Sequence, residues 1–206
     1  MYDYYFIDNH HLLIAIGDVS GKGIPASLFM AIASTLIKIN SNVLSSSEIV
    51  EKVNRELGDR NPNQYFLTLF IGVLDIRTGM MDYCNAAHNY PYILHPDGTV
   101  HTLSKSHGIP LGIYKNKTYK SSTIELQYGD LILLYTDGVI NSRDSGGNHY
   151  GIKKLKSNIQ SMTDLTAKEV VTRLMQSILI YEGETHQSDD ISLMALKFLY
   201  EIKNQV

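Results

Sequence analysis

The stretch of sequence that organises this chain reads Gly17-Asp18-Val19-Ser20-Gly21-Lys22-Gly23-Ile24-Pro25-Ala26. The apolar run before it, Leu12–Ile16, predicts a buried strand. The apolar-periodic segment after it predicts a helix from about Ile24 to Ile39, because Pro25 is tolerated in a first helical turn, where no N–H bond is lost. An acidic residue at a strand end, followed by a glycine-rich turn, brings a carboxylate and bare backbone carbonyls together, and such oxygens suit a hard divalent cation. The alternative is an ordinary turn in which Asp18 only caps the backbone.

Composition limits the classes of protein to consider. The chain has 206 residues, 44% of them hydrophobic, and a formal net charge of -3, which predicts one domain spanning residues 1–206. So small a charge gives no electrostatic reason to expect a nucleic acid or an anionic membrane as a partner. The sequence has neither a bilayer-spanning apolar run nor a signal peptide pattern. Its one cysteine, Cys84, is interpreted as a core residue in a reducing compartment, so a cytoplasmic location is expected.

The order of predicted elements indicates an α+β protein. Strands are expected at both ends of the chain and throughout its middle, at Tyr2–Ile7, Leu12–Ile16, Tyr65–Asp75, Met80–Ala86, Tyr92–His95, Val100–Leu103, Tyr119–Leu126, Leu131–Tyr135 and Ile191–Leu199. Two pairs of helices interrupt them, and two of the helices begin with capping boxes, Ser45 with Glu48 and Thr166 with Glu169. Residues 141–148 are polar and predict a loop.

Three acidic sites share one local context. Asp18 and Asp137 each follow an apolar run, and the pair Asp189-Asp190 directly precedes another. If the three meet at one end of a sheet, their mutual repulsion calls for a cation. Ligation by oxygen alone favours Mg²⁺ or Mn²⁺, whereas zinc usually takes His or Cys. The alternative, that each Asp only forms a turn, stays open at this level.

Five motifs in order resemble those of the bacterial SpoIIE/RsbU-type phosphatases, a branch of the metal-dependent PP2C-like serine/threonine phosphatases. They are Gly17–Ala26, Asn85–Pro91, Pro110–Gly112, Gly129–Val139 and Ser188–Ser192, and they extend over nearly the whole chain. The resemblance implies a four-layer α-β-β-α sandwich of two antiparallel sheets flanked by helices. It also implies two metal ions, Mn²⁺ or Mg²⁺, at one edge of that sandwich.

The same resemblance implies a role for each matched residue. Asp18 would bridge both ions, the Val19 carbonyl would complete one site, and Asp137 and Asp189 would hold the second ion. Asp190 belongs to the same candidate metal set, with a supporting role beside Asp189. A metal-activated water would attack phosphorus, so neither Ser20 nor Cys84 need act as a nucleophile. Ser20 is expected to shape the turn, Lys22 to be solvated, and His88 to make structural hydrogen bonds.

Two departures from the family pattern bear on activity. Relatives begin this region with Gly-Gly-Asp-x-Tyr-Asp, and here Asp3 matches the second Asp while the first is absent. Either the chain is truncated or one metal site is weakened, since the number of ligand charges sets the affinity. Relatives also carry Glu or Asp where this chain has Asn141, which argues against a further metal position there. Ala87 in place of Gly is a milder departure.

The leading hypothesis is a Mn²⁺- or Mg²⁺-dependent phosphatase that hydrolyses phosphoserine or phosphothreonine on a signalling protein. The resemblance implies a small anti-anti-sigma protein of the STAS-domain type as substrate. The alternative is a catalytically weak pseudophosphatase that binds a regulatory partner, which the missing first Asp motivates. A nucleotide-binding P-loop at Gly21-Lys22-Gly23 is excluded, because the required Gly-x4-Gly-Lys-Ser/Thr spacing is absent.

Overall fold

A computed structural model describes residues 1–59, 61, 63–183 and 189–200 of the chain. In chain order, its elements are β1 (Tyr2–Phe6), β2 (His11–Val19), α1 (Ile24–Asn40), α2 (Ser46–Asp59), β3 (Leu67–Asp75), β4 (Met80–Ala86), β5 (Tyr92–Leu94), β6 (Val100–Thr102), β7 (Ser122–Glu125), β8 (Leu131–Tyr135), α3 (Asp137–Asn141), α4 (Gly151–Gln160), α5 (Ala167–Glu182) and β9 (Leu193–Lys197). The chain forms two compact units, here called unit 1 (residues 1–88 and 105–126) and unit 2 (residues 89–104 and 127–200).

Unit 1 contains a five-stranded antiparallel sheet in the order β1-β2-β3-β4-β7. Strand β3 lies at its centre and is buried along nearly its whole length, as the continuous apolar run predicted. Side chains of α1 and α2 pack with alternate residues of β2 and β3 in one hydrophobic cluster, which includes Phe29, Val53 and Leu69. Burial of this cluster is what holds the two helices to the sheet.

Helix α1 buries a narrower face than its sequence suggests. Its predicted apolar face comprised Leu28, Phe29, Ile32, Ala33, Leu36 and Ile37. The structure buries Phe29, Ala33 and Ile37, whereas Leu28 and Ile32 are 60% and 54% exposed. A pattern of apolar residues gives the helical period, but the width of the stripe that is covered depends on the neighbouring sheet.

The start of α2 differs from the predicted capping box. The Glu48 N–H reaches Ser45 Oγ only at 3.4 Å. The stronger cap comes from a strand: Asp82 Oδ2, on β4, accepts hydrogen bonds from both the backbone N–H and the hydroxyl of Ser46 at 2.7 Å. An acceptor 36 positions away in sequence therefore satisfies the first turn of α2.

Unit 2 contains a four-stranded antiparallel sheet in the order β6-β5-β8-β9. Helices α4 and α5 pack side chains such as Leu155 and Leu174 in one cluster with Leu131 and Leu133 of β8. The capping box of α5 is present as predicted, because the Glu169 N–H donates to Thr166 Oγ1 while the Glu169 carboxylate accepts from the Thr166 N–H. The sheets and helices of the two units confirm the α+β class.

The observed elements differ from the predicted ones in several places. The strand expected over Tyr119–Leu126 is limited to β7, and Tyr119 is a core residue before it. The short helix α3 was not predicted at all, and the loop expected from Asn141 therefore begins after it. Strand β9 is shorter at both ends than the apolar run Ile191–Leu199. In the described ranges, none of the helices has the length and apolar character that crossing a membrane requires.

Candidate metal centre

Asp18 lies near the end of β2, a strand paired on both sides. It is half-buried and stands opposite Thr68 of β3 in the antiparallel register. The Thr68 hydroxyl reaches the Asp18 carbonyl oxygen at 3.4 Å. Gly17 allows these strands to pack closely, because a Cβ at that position would lie 2.6 Å from the Thr68 carbonyl oxygen. The position of Asp18 is therefore fixed by the sheet of unit 1.

The turn after Asp18 is held by backbone hydrogen bonds and by Ser20. The Ser20 N–H donates to the Phe66 carbonyl, and the Phe66 N–H donates to Ser20 Oγ, both at 2.9 Å. Gly21 has a φ of 88°, which favours glycine, and α1 begins at Ile24 with Pro25 in its first turn. Lys22 is exposed. These contacts confirm that Ser20 shapes the turn and agree with a solvated Lys22.

Asp137 is the first residue of α3, after the Thr136 N-cap, whereas the sequence predicted that it ends a strand. A Cβ at Gly138 would lie 2.3 Å from the Asp190 carbonyl oxygen, so only glycine fits there. Thr136 holds residues 190–192 against the start of α3. Its hydroxyl donates to the Asp190 carbonyl at 3.2 Å and accepts from the Ser192 N–H at 2.9 Å. In the sequence, Thr136 and Gly138 belong to the motif Gly129–Val139, and nothing in it predicts their contact with Asp190.

Within unit 2, Asp189 lies near enough to Asp137 for its negative charge to act on the Asp137 carboxyl. Burial raises the pKa of the Asp137 carboxyl above its usual value, and the negative charge of Asp189 raises it further. Asp189 Oδ1 accepts from the Asp190 N–H at 2.9 Å, and the side chains of both residues are exposed. Ser188, the first residue of this motif, lies outside the described residues. Carboxylate oxygens are the donors that a hard divalent cation prefers, so the pair keeps the predicted metal ligands Asp137 and Asp189 in one unit.

The three acidic sites do not belong to one sheet, which is the arrangement that the sequence pattern suggested. Asp18 is part of the sheet of unit 1, while Asp137 and Asp189 flank β8 and β9 of unit 2. Across the part of the chain that the structure describes, no three His, Cys, Asp or Glu side chains are grouped as a metal site requires. The structure therefore places together the pair Asp137 and Asp189. The roles of Asp18, Val19 and Asp190 stay predictions from the motif.

His88 makes structural hydrogen bonds, as predicted. His88 is buried, and its ring Nδ1 lies 3.0 Å from Thr68 Oγ1. Its backbone N–H donates to Asn85 Oδ1 at 2.8 Å. Because Thr68 also contacts the Asp18 carbonyl, His88 supports the strand that carries Asp18. The residue before His88, Ala87, has a φ of 58°, a conformation that favours glycine, so this departure from the family pattern carries backbone strain.

Cys84 is a core residue, as predicted. It has no exposed surface, and burial raises the pKa of its thiol to about 12, with further contributions from Asp82 and Glu51. At neutral pH the thiol therefore stays protonated and is a poor nucleophile.

Comparison with known proteins agrees with the resemblance seen in the motifs. The family model described as stage II sporulation protein E (SpoIIE) matches residues 8–199. Protein IcfG of Synechocystis sp. is 28% identical over 224 residues, covering 95% of this chain and 35% of IcfG. The phosphoserine phosphatase RsbU of Bacillus subtilis is 30% identical over 200 residues, covering 94% of this chain and 58% of RsbU. The chain thus spans only part of the length of these relatives.

Solved structures show the same fold. The SiaA-PP2C domain of Pseudomonas aeruginosa superposes with a TM-score of 0.85 at 20% identity, covering 96% of this chain and 79% of that one. A structure of RsbX in complex with magnesium gives a TM-score of 0.70 at 17% identity, covering 95% of this chain and 84% of that one. Such low identities establish the fold alone, and that fold is the PP2C-like α+β fold. Because the family model matches residues 8–199 of the 206 in this chain, the chain belongs to the SpoIIE family.

Proposed function

We propose that this chain is a metal-dependent phosphatase that hydrolyses phosphoserine or phosphothreonine on a signalling protein. The observation that carries the proposal is the close approach of the Asp190 backbone to Thr136 and Gly138, which leaves Asp189 near enough to Asp137 for its negative charge to add to the effect of burial in raising the pKa of Asp137. Membership of the SpoIIE family and the similarity to a phosphoserine phosphatase support the same activity. Thr136 and Gly138 maintain the carboxylate pair by holding the Asp190 backbone against the start of α3.

The donor atoms fit Mn²⁺ or Mg²⁺. The proposed ligands are the carboxylates of Asp18, Asp137 and Asp189 with the Val19 carbonyl, supported by Asp190, and all of them are oxygen donors, which these hard cations prefer. Asp137 is half-buried and its pKa is raised by burial and by Asp189, so a nearby positive charge would stabilise its charged form. When bound, the ions would supply an acidified water and positive charge for the phosphoryl oxygens. The similar RsbX structure, which contains magnesium, supports Mg²⁺ as one candidate.

The protein contributes ligand placement rather than a nucleophile of its own. Ser20 Oγ already accepts the Phe66 N–H, and the Cys84 thiol is buried and protonated. Neither side chain is therefore placed to form a covalent phosphoenzyme. The reaction assigned to this site is direct transfer of the phosphoryl group to water, for which the ligands would hold the cations that neutralise charge on the phosphoryl oxygens.

The proposed substrate is a small phosphorylated regulatory protein, of the STAS-domain anti-anti-sigma type. The support is the family and the similarity to RsbU, and the near-neutral charge of the chain offers no reason to prefer a nucleic acid. We place the protein in the cytoplasm, because Cys84 is a free thiol and disulfides are rare there.

One observation favours the alternative, a pseudophosphatase that binds a partner. Of the residues that the structure describes, no three potential ligands form a group fit for a metal. This alternative predicts a folded protein that binds a regulatory protein but has no metal-stimulated turnover.

The deciding experiment measures hydrolysis of a phosphoserine peptide with MnCl₂, with MgCl₂ and with EDTA. The variants are Asp18→Asn, Asp137→Asn and Asp189→Asn, and the matched control is Asp164→Asn, an exposed acid between α4 and α5. We expect metal-stimulated turnover in the parent and the control, and a loss of at least roughly 100-fold in the three variants, since metal catalysis contributes several kcal/mol.

Metal binding has a separate readout. Mn²⁺ should raise the melting temperature of the parent protein, because a ligand that binds only the folded state stabilises it. Asp137→Asn and Asp189→Asn should reduce that shift. Absence of turnover in the parent, with or without a thermal shift, would reject the enzyme and leave the pseudophosphatase.

A further inference from the structure

Unit 2 contains an open cleft that the proposed metal centre does not use. Its volume is about 470 Å³, and the residues that line it include Ile140, Asn141, His149, Tyr150, Ile152 and Lys153. Ile140 and Asn141 belong to α3, and Ile152 and Lys153 to the first turn of α4. The lining is therefore apolar at two isoleucines and polar or cationic at its other side chains.

The walls of the cleft are fixed by hydrogen bonds. The Tyr150 N–H donates to the Ser142 carbonyl at 2.8 Å, which joins the start of α4 to the end of α3. The Tyr181 hydroxyl is 3.1 Å from the His149 carbonyl, and Tyr150 and Tyr181 meet edge to face. Asp144 accepts the backbone N–H groups of Gly146 and Asn148, which fixes the intervening loop. A cleft with fixed walls is organised for a ligand before the ligand arrives.

The segment that supplies the cleft is basic, although the net charge of the whole chain is -3 and the acidic Asp137 lies three positions before that segment. From Ile140 to Ser161 the sequence has four Lys or Arg residues and only one acid, Asp144, which already accepts hydrogen bonds within its own loop. Lys154 lies 3.9 Å from the centre of the Tyr181 ring, and Lys156 donates to Thr102. Lys153 is exposed on the cleft wall, where it can meet an anionic group.

The cleft lies close to Asp137 along α3. Asp137 and Asn141 are the first and last residues of that helix, and a rise of 1.5 Å per residue separates their Cα atoms by about 6 Å. An extended peptide advances about 3.3 Å per residue. A peptide whose phosphorylated residue reaches Asp137 would therefore bring residues about two to four positions away to the cleft.

We propose that this cleft binds an acidic segment of the phosphoprotein substrate, next to the phosphorylated residue. The inference rests on the proposed function and adds a determinant of substrate choice to it. An Asp or Glu of the substrate meets Lys153 and His149, while a neighbouring apolar side chain packs on Ile140 and Ile152. Charge pairing at the rim of a cleft increases the specificity for a partner and the rate of association with it.

The test uses two phosphoserine peptides that differ only in charge. One carries Asp, and the other Lys, at the second to fourth positions on both sides of the phosphoserine. The readout is the ratio of kcat/KM for the acidic peptide to that for the basic peptide, so a general loss of activity in a variant cancels. The variants are Lys153→Glu and Lys153→Gln, and the matched control is Lys168→Glu, an exposed lysine in the first turn of α5.

We expect the parent protein to prefer the acidic peptide. Lys153→Glu should lower the ratio by about tenfold, because charge reversal removes an attraction and adds a repulsion, and Lys153→Gln should lower it by about threefold. The preference should also shrink in 0.5 M NaCl, where screening shortens the range of charge interactions. Lys168→Glu should leave the ratio unchanged. An equal rate for the two peptides, or an unchanged ratio in Lys153→Glu, would overturn the inference.

A binding measurement without metal tests the cleft independently of the proposed phosphatase activity. Fluorescence anisotropy of the same two labelled peptides in EDTA should show tighter binding of the acidic peptide by the parent than by Lys153→Glu. If neither peptide is hydrolysed but this difference appears, the phosphatase proposal fails and the cleft assignment stands. If both are hydrolysed but bound without regard to charge, the cleft assignment alone fails.

Discussion

Replacing Asp82 by Ala removes the acceptor that caps helix α2 from the neighbouring strand. Asp82 Oδ2 accepts the N–H and the hydroxyl of Ser46, both at 2.7 Å, and Ser46 is fully buried. A buried donor that loses its partner costs about 1–3 kcal/mol. With two such donors, and with Asp82 only half-buried so that water can enter, we expect Asp82→Ala to lower the free energy of unfolding by about 2–4 kcal/mol.

The assay is unfolding in urea together with thermal melting. For a chain of this length, 1 kcal/mol corresponds to about 2–4 °C, so the melting temperature should fall by about 5–15 °C. Asp82→Asn keeps an oxygen acceptor and should cost about half as much. Asp164→Ala, which removes an exposed acid, serves as the matched control and should change stability by less than about 0.5 kcal/mol. Hydrogen exchange should quicken in the amides of α2 and not in those of α5.

A double-mutant cycle with Ser46→Ala measures the contact itself. The Ser46 hydroxyl is one of the two donors, so Asp82→Ala should cost less in the Ser46→Ala background, with a coupling of about 1 kcal/mol. A loss below about 0.5 kcal/mol in Asp82→Ala, or full additivity in the cycle, would refute the assignment of Asp82 as the cap.

Four further predictions concern other single residues. Ala87→Gly should raise the free energy of unfolding, measured in urea, by up to about 1 kcal/mol. The strain of a left-handed φ at alanine costs more free energy than the extra conformational entropy that glycine has in the unfolded chain. Cys84, with a pKa of about 12, should react with a disulfide reagent at pH 8 only in denaturant, and rapid reaction of the native protein would contradict its burial. Thr166→Ala should cost about 1 kcal/mol by removing the α5 cap. Hydrogen bonds from Thr166 lower the pKa of Glu169 in the folded protein. Ionised Glu169 therefore stabilises the fold above the pKa that it has in the unfolded chain, about 4, and this stabilisation is lost as the pH falls through the lower pKa of the folded protein. Glu169→Gln should make the free energy of unfolding less dependent on pH in this acidic range.

The contrast between the two capped helices shows how far local sequence reasoning extends. The α5 cap joins residues three positions apart, so its Thr-x-x-Glu spacing predicted it in full. The spacing of Ser45 and Glu48 is the same, yet the acceptor that matters for α2 is Asp82, in a different element. A spacing can offer a local bond, but the packing of α2 beside β4 decides which acceptor lies nearer.

By itself the sequence determined the strands and four of the five helices in the described part of the chain, the Ser20 turn, the buried Cys84 and, through its ordered motifs, the SpoIIE family. These features depend on period, composition and contacts within a few residues. Only the tertiary structure decided that Asp137 begins a helix and that Asp189 lies near enough for its charge to raise the pKa of Asp137. That pairing depends on the missing side chain of Gly138 and on the hydroxyl of Thr136, which join segments more than 50 positions apart. Contacts at such separation depend on the path of the folded chain, which no local pattern of residues records.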